Sequence, residues 1–146
     1  FGEIAAGIKD SSGNWENISS VAQNVRDFMV YSGTETFLLE TLLNGGAGCI
    51  TATANLIATE CQQVFQAWKN ESLEDAKQKQ KKLTSLRKAF ESHPFVSGLK
   101  SIFADQKYAN EWEHMIPPFD GLMKDQLHEL KEKIKGLGLD LSKRLN

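Results

Sequence analysis

The sequence has few cysteines, almost no excess of charge and no long apolar run, and each absence excludes a class of protein. Two cysteines in 146 residues are too few for a disulfide scaffold, so Cys49 and Cys61 are expected to be reduced, buried thiols of a cytoplasmic protein. A formal net charge of −2 gives no attraction to nucleic acid or to an anionic membrane surface. No apolar run approaches the roughly 20 residues that span a bilayer. We therefore expect neither nucleic acid nor a membrane as partner.

The amino-terminal residues resemble the approach to a strand. The segment FGEIAAGIKD begins without Met and lacks the basic start and long apolar stretch of a signal peptide. With 40% hydrophobic and 25% charged residues, the composition is that of a folded globular protein. We expect the chain to begin inside a larger protein.

Three short apolar runs alternate with helical patterns up to Lys69. The runs predict strands at Ile4–Ile8, Phe28–Tyr31 and Cys49–Ala52. Apolar residues at helical spacing predict one helix after each strand: Ile18, Val21, Ala22 and Val25; Phe37, Leu38, Leu42 and Leu43; Ile57, Cys61, Val64, Phe65 and Trp68. Runs without alternation indicate parallel strands covered on both faces. Three βα units cannot close a barrel of eight, so an α/β piece of a larger fold is predicted.

Turn-forming residues predict where the helices end, and the sequence after Lys69 predicts further helices. Asn14 is expected to cap the first helix, and the glycines after Asn44 to end the second. After Lys69 the pattern is helical only, with breaks at His93-Pro94 and Pro117-Pro118. Predicted inward positions on these helices are Leu83, Leu86, Ala89, Phe90, Leu122, Leu127, Leu130, Ile134 and Leu137. The lysines at 77, 79, 81 and 82 are diluted by acidic residues and predict a solvated helix face.

Lys9 is the first candidate for chemistry. It follows an apolar strand, at the end where barrel enzymes build their active sites. An apolar setting would disfavour its charged form and lower its pKa, and a neutral amine is the nucleophile that forms a Schiff base with a ketone. Spacing alone leaves open a lysine that extends to solvent or pairs with a carboxylate such as Glu35.

Two further strand ends carry polar or glycine-rich sequence. Ser32-Gly33-Thr34-Glu35 follows the second strand, where a glycine lets a ligand approach bare backbone, although a plain strand-to-helix turn would use the same residues. The glycines at 45, 46 and 48 precede the third strand, whereas a dinucleotide fingerprint follows one. The sequence lacks a G-x-S-x-G elbow, and His93, His114 and His128 stand apart from other metal ligands. We expect no metal site and no nucleotide cofactor.

Taken together, these segments resemble the dihydrodipicolinate synthase / N-acetylneuraminate lyase family. The resemblance rests on Gly7-Ile8-Lys9-Asp10, then Ser32-Gly33-Thr34-Glu35, then the run from Gly46 to Asn55. These match the family patterns G-[IV]-K-[DE], S-G-x-[DE] and G-A-x-G-x-I-[ST]-x-x-A-N in order. The resemblance implies that residues 1–69 are the last three βα units of a (β/α)8 TIM barrel. It further implies that residues 70–146 are a carboxyl-terminal three-helix extension.

The resemblance also implies a pyruvate-dependent aldolase without a cofactor. Lys9 would form an imine with pyruvate or a 2-keto sugar acid, and the derived enamine would add to an aldehyde, as in dihydrodipicolinate synthases or 2-keto-3-deoxy sugar acid aldolases. Gly33 and Ile50 would offer backbone groups to the keto acid, and Ser11 and Glu35 would face the second substrate. The segment 93–100 resembles the sugar-acid aldolases more than the synthases. By the same analogy the enzyme would be a cytoplasmic homotetramer.

The family's carboxylate-binding loop and proton-relaying tyrosine belong to the first five βα units, which this sequence does not contain. We therefore expect little or no turnover from the chain alone, and two open sheet edges that pair with the missing half of the barrel or with another copy. The competing hypothesis is a non-catalytic family member that binds keto acids or supports assembly.

Overall fold

Three short strands form a parallel sheet in the amino-terminal part of the chain. In the computed structural model, which describes residues 4–105 and 110–143, β1 is Gly7–Asp10, β2 is Met29–Ser32 and β3 is Gly48–Cys49. The order is β1-β2-β3, with Lys9 opposite Tyr31 and Tyr31 opposite Gly48. The predicted α/β character and parallel pairing are confirmed.

The strands begin and end at different residues from those predicted. β1 includes Lys9 and Asp10 and leaves Ile4–Ala6 outside, because the residues of β1 are those opposite Met29–Ser32. β3 has two residues rather than four. The Ile50 N–H still donates to the Ser32 carbonyl at 2.9 Å, but β2 ends there and the chain turns away.

The helices alternate with the strands and then continue alone. They are α1 Trp15–Asn24, α2 Leu38–Leu43, α3 Ala54–Lys69, α4 Leu73–Phe90, α5 Phe95–Ala104, α6 Asn110–Glu113 and α7 Lys124–Gly136. A 3₁₀ turn, Glu35–Phe37, precedes α2, and another, Leu141–Lys143, follows α7. The sequence did not predict α6. In the described part of the chain, no helix is long and apolar enough to cross a membrane.

Helix caps account for where α1 and α2 lie. The Asn14 side chain accepts from the N–H groups of Glu16 and Asn17, at 2.9 and 3.4 Å, which confirms it as the cap of α1. Helix α2 ends at Leu43, and Gly45 follows with a φ of +83°, a conformation that glycine adopts at little cost.

The first of two compact units, Phe1–Thr84, has its core between the sheet and its helices. Buried apolar residues of this unit include Ile18, Val30, Leu38, Leu39, Leu42, Leu56, Ile57, Val64, Ala76 and Leu83. Two predicted core positions are wrong. Val25 is 45% exposed because α1 has already ended at Asn24, and Leu43 is 51% exposed because it is the last residue of α2.

The second unit, Ser85–Asn146, is helical. Leu99 and Ile102 of α5 and Leu130 and Ile134 of α7 are buried in it, so the central inward positions predicted for α7 are confirmed. A Cβ placed on Gly98 would lie 3.3 Å from a Leu130 methyl group, which shows how closely α5 approaches α7. The division falls within α4, and the predicted boundary at residue 70 stays a prediction.

A side chain at Gly46 would collide with the backbone around it. A Cβ there would lie 2.9 Å from the Thr41 carbonyl oxygen and 3.0 Å from that of Val30, the acceptor for the Ala47 N–H. We expect Gly46→Ala to lower the free energy of unfolding by about 1–3 kcal/mol because backbone must move. Gly136→Ala is the control, since no atom lies within 4 Å of its added Cβ. The measurement is urea unfolding followed by circular dichroism. Equal unfolding midpoints for Gly46→Ala and Gly136→Ala would contradict the prediction.

Candidate active site

The carboxyl ends of the three parallel strands lie at the same edge of the sheet. Lys9 and Asp10 end β1, Ser32 ends β2 and Cys49 ends β3. Ligand sites of α/β folds form where such strand ends and their following loops meet. The sequence-predicted residues Ser11, Gly33, Glu35 and Ile50 all follow within three residues of these ends.

The loops after β1 and β2 touch at Gly33. Its N–H donates to the Asp10 carbonyl oxygen at 2.6 Å. A Cβ on Gly33 would lie 2.6 Å from that same oxygen and 3.0 Å from the Ser11 Oγ. The structure thus brings Ser11 and Gly33 together, and only glycine fits the contact.

The Asp10 carboxylate organises the loop after β1. One oxygen accepts from the Ser12 N–H at 2.8 Å and from the Ser12 hydroxyl at 2.5 Å, and the other accepts from the Asn17 amide. The side chain is buried, which by itself would favour the neutral acid. The hydrogen bonds from Ser12 outweigh burial and, with that from Asn17, lower the pKa of Asp10.

Lys9 lies in β1 and is exposed, not held in an apolar pocket as the sequence predicts. The reason is that β1 is an edge strand, with Gly7 and Ile8 also exposed. Within residues 4–105 and 110–143, no ion pair joins Lys9 to Glu35. The simple pairing that the sequence left open is therefore not found.

Glu35 is fully buried behind the end of β3. Its carboxylate accepts from the Thr51 hydroxyl at 2.6 Å and from the Thr53 hydroxyl. The Gln80 amide of α4 holds the same turn from the other side. It donates to the carbonyls of Glu35 and Thr36, at 3.0 and 3.1 Å, and accepts from the Leu39 N–H at 3.0 Å. Glu35 is thus fixed at backbone and side chain.

Ile50 follows β3 and is 49% exposed, with its N–H already donated to Ser32. Ser32 itself is buried, and its hydroxyl donates to the Thr34 carbonyl at 2.9 Å. The loop after β2 is therefore shaped by Ser32 from within. Among the residues that the structure describes, no three metal-ligating side chains are grouped as for a metal ion.

Sequence reasoning assigned no role to four residues of this site, although three of them lie within the motifs that it identified. These are Asp10, Thr51, Thr53 and Gln80. Two threonine hydroxyls directly after a strand were a detectable signal for a buried acceptor. Gln80 gave none, because it lies on a helix 45 residues from Glu35 in sequence.

Comparison with known proteins decides the family. The model of the Dihydrodipicolinate synthetase family matches residues 3–137. The chain belongs to this family. A relative within the dihydrodipicolinate synthetase family, the 4-hydroxy-tetrahydrodipicolinate synthase of Listeria monocytogenes, is 34% identical over 101 residues. That match covers 68% of this chain and 34% of the relative, so the chain spans about a third of the length of such curated relatives.

Solved structures show the same fold over more than nine tenths of this chain. The E. coli K12 prophage protein YagE, of the dihydrodipicolinic acid synthase family and solved in complex with pyruvate, superposes with a TM-score of 0.82 at 25% identity. The match covers 94% of this chain and 47% of YagE. N-acetylneuraminate lyase from Fusobacterium nucleatum gives a TM-score of 0.76 at 22% identity, covering 92% and 45% of the two chains. The resemblance found in the sequence is confirmed.

The Asp10 network generates a prediction on pH. Asp10→Asn should unfold more easily at pH 7, by about 1–3 kcal/mol, because its amide cannot accept from both Ser12 and Asn17. Since folding lowers the pKa of Asp10, its contribution is complete above the unfolded value of about 4 and is lost as pH falls through the folded value. The difference between variant and wild type should therefore shrink in acid.

Urea unfolding at a series of pH values measures this difference. Asp120→Asn, at an exposed position, is the control and should follow wild type throughout. A variant at position 10 as stable as wild type at pH 7 would contradict the assigned role of Asp10.

Proposed function

We propose that residues 1–69 are the last three βα units of a (β/α)8 barrel, and that residues 70–146 are its helical extension. The parallel order β1-β2-β3 is that of consecutive barrel strands. Matches that cover 46–47% of solved family chains support a partial barrel. The remaining five units would supply the strand that covers the open edge at β1.

We propose that the complete protein is a pyruvate-dependent aldolase and that Lys9 is its imine-forming residue. The observation that carries this proposal is the position of Lys9, at the carboxyl end of a parallel strand and directly before the Asp10–Ser12 loop that meets Gly33. Curated relatives named 4-hydroxy-tetrahydrodipicolinate synthase, and the pyruvate complex of YagE, support the reaction class. The activity is a lyase reaction that needs no metal or organic cofactor.

The chemistry follows from an amine beside a keto acid. The neutral Lys9 amine adds to the keto carbon of pyruvate, and loss of water from the carbinolamine gives an iminium ion. The iminium nitrogen takes up the electron pair when a proton leaves the methyl carbon, which forms an enamine. The enamine carbon bonds to the aldehyde carbon, and water then releases the product and Lys9. Cleavage runs the same steps in reverse.

Backbone groups of Gly33 and Ile50 are proposed to meet the keto acid. Both N–H groups already donate within the sheet edge, to Asp10 and Ser32. Their carbonyl oxygens are therefore the groups that would accept from an iminium N–H or a carbinolamine hydroxyl.

Ser11 and Glu35 are proposed to face the second substrate. Ser11 is exposed beside Gly33, so its hydroxyl is open to a ligand. Glu35 is buried and would act through the hydroxyl of Thr51, a partly exposed residue that donates to it. The relatives named as synthases, and the resemblance of segment 93–100 to the sugar-acid aldolases, leave two aldehyde classes to be distinguished by assay.

Imine formation needs a neutral amine, and a strand that covers β1 would favour that form by excluding water. The strand covering β1, together with the family's carboxylate-binding loop and tyrosine, would come from the other five units. We propose that the chain alone turns over little or no substrate, and that the complete protein works as a cytoplasmic homotetramer. A family member that only binds keto acids or supports assembly is the second candidate.

Borohydride trapping tests the assignment. The complete barrel containing these residues, treated with pyruvate and borohydride, should gain a single adduct of about 72 Da on Lys9, because reduction fixes the imine as a secondary amine. Intact-mass and peptide mass spectrometry locate it. Lys9→Arg should abolish the adduct and lower turnover by roughly 10³-fold or more.

Lys69→Arg is the matched control, since this exposed lysine ends α3 away from the strand ends, and it should trap as wild type does. A folded complete barrel with no adduct would overturn the aldolase assignment and favour the binding role, and an adduct on another lysine would overturn the assignment of Lys9.

A further inference from the structure

A short turn between β2 and α2 carries Glu35, and the side chain of Gln80 from α4 binds both of its ends. The turn, Glu35–Phe37, is a 3₁₀ helix that leads directly into α2. The Gln80 Nε2 group donates to the carbonyls of Glu35 and Thr36, at 3.0 and 3.1 Å. At the other end, the Gln80 Oε1 atom accepts from the Leu39 N–H at 3.0 Å. A single amide is therefore bound to the turn at both its entry and its exit.

These contacts take the place of a backbone hydrogen bond. In an α-helix that continued back to Glu35, the Leu39 N–H would donate to the Glu35 carbonyl, four residues earlier. Here the Gln80 amide bridges these two groups and bonds to each of them. The backbone group that donates to the Glu35 carbonyl is the N–H of Leu38, three residues on, which is the 3₁₀ pattern. The Gln80 amide thus occupies the position where the turn would otherwise wind into α2.

The set of contacts requires an amide. The turn offers two carbonyl acceptors and one N–H donor, and a glutamine side chain carries a donor and an acceptor side by side. An ionised glutamate would have no donor, and a lysine would have no acceptor. Thr84, one turn further along α4, accepts from the same Gln80 Nε2 group at 3.1 Å and so fixes the orientation of the amide.

We propose that Gln80 is a positioning residue, which holds the turn in its 3₁₀ form and so keeps the Glu35 carboxylate on the hydroxyls of Thr51 and Thr53. Residues advance by about 120° each around a 3₁₀ helix and by about 100° around an α-helix. Rewinding the turn as part of α2 would therefore change the direction in which the Glu35 side chain points. The carboxylate would leave the two hydroxyls and the end of β3.

The consequence for catalysis rests on the function proposed above, in which Lys9 forms the imine and Glu35 faces the second substrate. Gln80 binds the turn after β2, whereas Lys9 lies in β1. Loss of the Gln80 amide should therefore impair the step that uses the aldehyde and spare the step that uses pyruvate. The effect on the turn itself requires no assumption about the reaction.

Crystal structures of the complete barrel containing these residues test the turn. In Gln80→Leu the Leu39 N–H should donate to the Glu35 carbonyl, the turn should continue α2, and the Glu35 carboxylate should leave both threonine hydroxyls. Gln78→Leu is the matched control, because it makes the same change at an exposed position of the same helix, and it should leave the turn as in wild type. An unchanged turn and carboxylate in Gln80→Leu would overturn the proposal.

Gln80→Glu is a second variant, of nearly the same size as wild type, for the case that Gln80→Leu does not fold. Its carboxylate can still accept from the Leu39 N–H, but it places oxygen instead of nitrogen against the carbonyls of Glu35 and Thr36. The turn should be displaced, and the Glu35 carboxylate should again leave the threonine hydroxyls. Gln78→Glu adds the same charge at the exposed position and should change neither. Glu35 still bound to both hydroxyls in Gln80→Glu would contradict the role of the amide.

Kinetics of the complete barrel separate the pyruvate step from the aldehyde step. Exchange of the pyruvate methyl hydrogens with deuterium oxide needs only the imine and enamine on Lys9, and NMR follows it without an aldehyde. Both Gln80 variants should exchange within about twofold of wild type. Their kcat/KM for the aldehyde should fall by roughly tenfold or more, because a displacement of about 1 Å in a positioning group can cost about a hundredfold. Glyceraldehyde and succinic semialdehyde are the aldehyde probes.

The failure of this inference is distinguishable from the failure of the proposed function. A wild-type barrel without methyl exchange would overturn the proposed function and the catalytic role with it, while the crystal structures still decide whether Gln80 holds the turn. Normal exchange in wild type, with an equal loss of exchange and of aldehyde turnover in the Gln80 variants, would indicate a general structural role and overturn the positioning role. An aldehyde kcat/KM that both variants leave unchanged would overturn it as well.

Discussion

The parallel pairing of β1 with β2 is the constraint on which the candidate site depends. Their register places Asp10 opposite Ser32, and the next residue, Gly33, continues the pairing by donating to the Asp10 carbonyl. This one hydrogen bond sets the loop after β1 against the loop after β2. A slip by one residue would place a side chain where Gly33 now fits and would move Lys9 to the other face. The register of β1 against β2 therefore determines the geometry of the candidate site.

Local patterns predicted the order of elements well and their bounds less well. Helix α1 was predictable because its cap, Asn14, and its buried Ile18 are both local signals. Strand bounds depend on the partner, so β1 shifted to Gly7–Asp10 and β3 shortened to Gly48–Cys49. Val25 and Leu43 fit the helical period but lie where the helices end. The helical period predicts which residues lie on the buried face of a helix, but the cap determines at which residue the helix ends.

In the candidate site, the positions of residues could be predicted from the sequence, but the contacts of their side chains could not. Motif spacing located the strand-end residues from Lys9 to Ile50, because parallel strands bring such ends together whatever their side chains contact. The contacts of those side chains were not predictable. The environment of Glu35 depends on Thr53 and on Gln80, which contacts it from α4. The local sequence around Glu35 does not indicate a contact with residues so far along the chain. The exposure of Lys9 depends on what lies beyond β1, which no property of the lysine encodes.

A buried carboxylate lies behind the end of β3. Glu35 is fully buried, and its carboxylate accepts from the hydroxyls of Thr51 and Thr53. A buried acceptor of this kind is tolerated because hydrogen bonds replace the water that it loses on folding. The Gln80 amide of α4 binds the backbone of the same turn, at the carbonyls of Glu35 and Thr36. The loop after β2 therefore depends on the residues after β3 and on α4, and a change in either segment would reach the candidate site through Glu35.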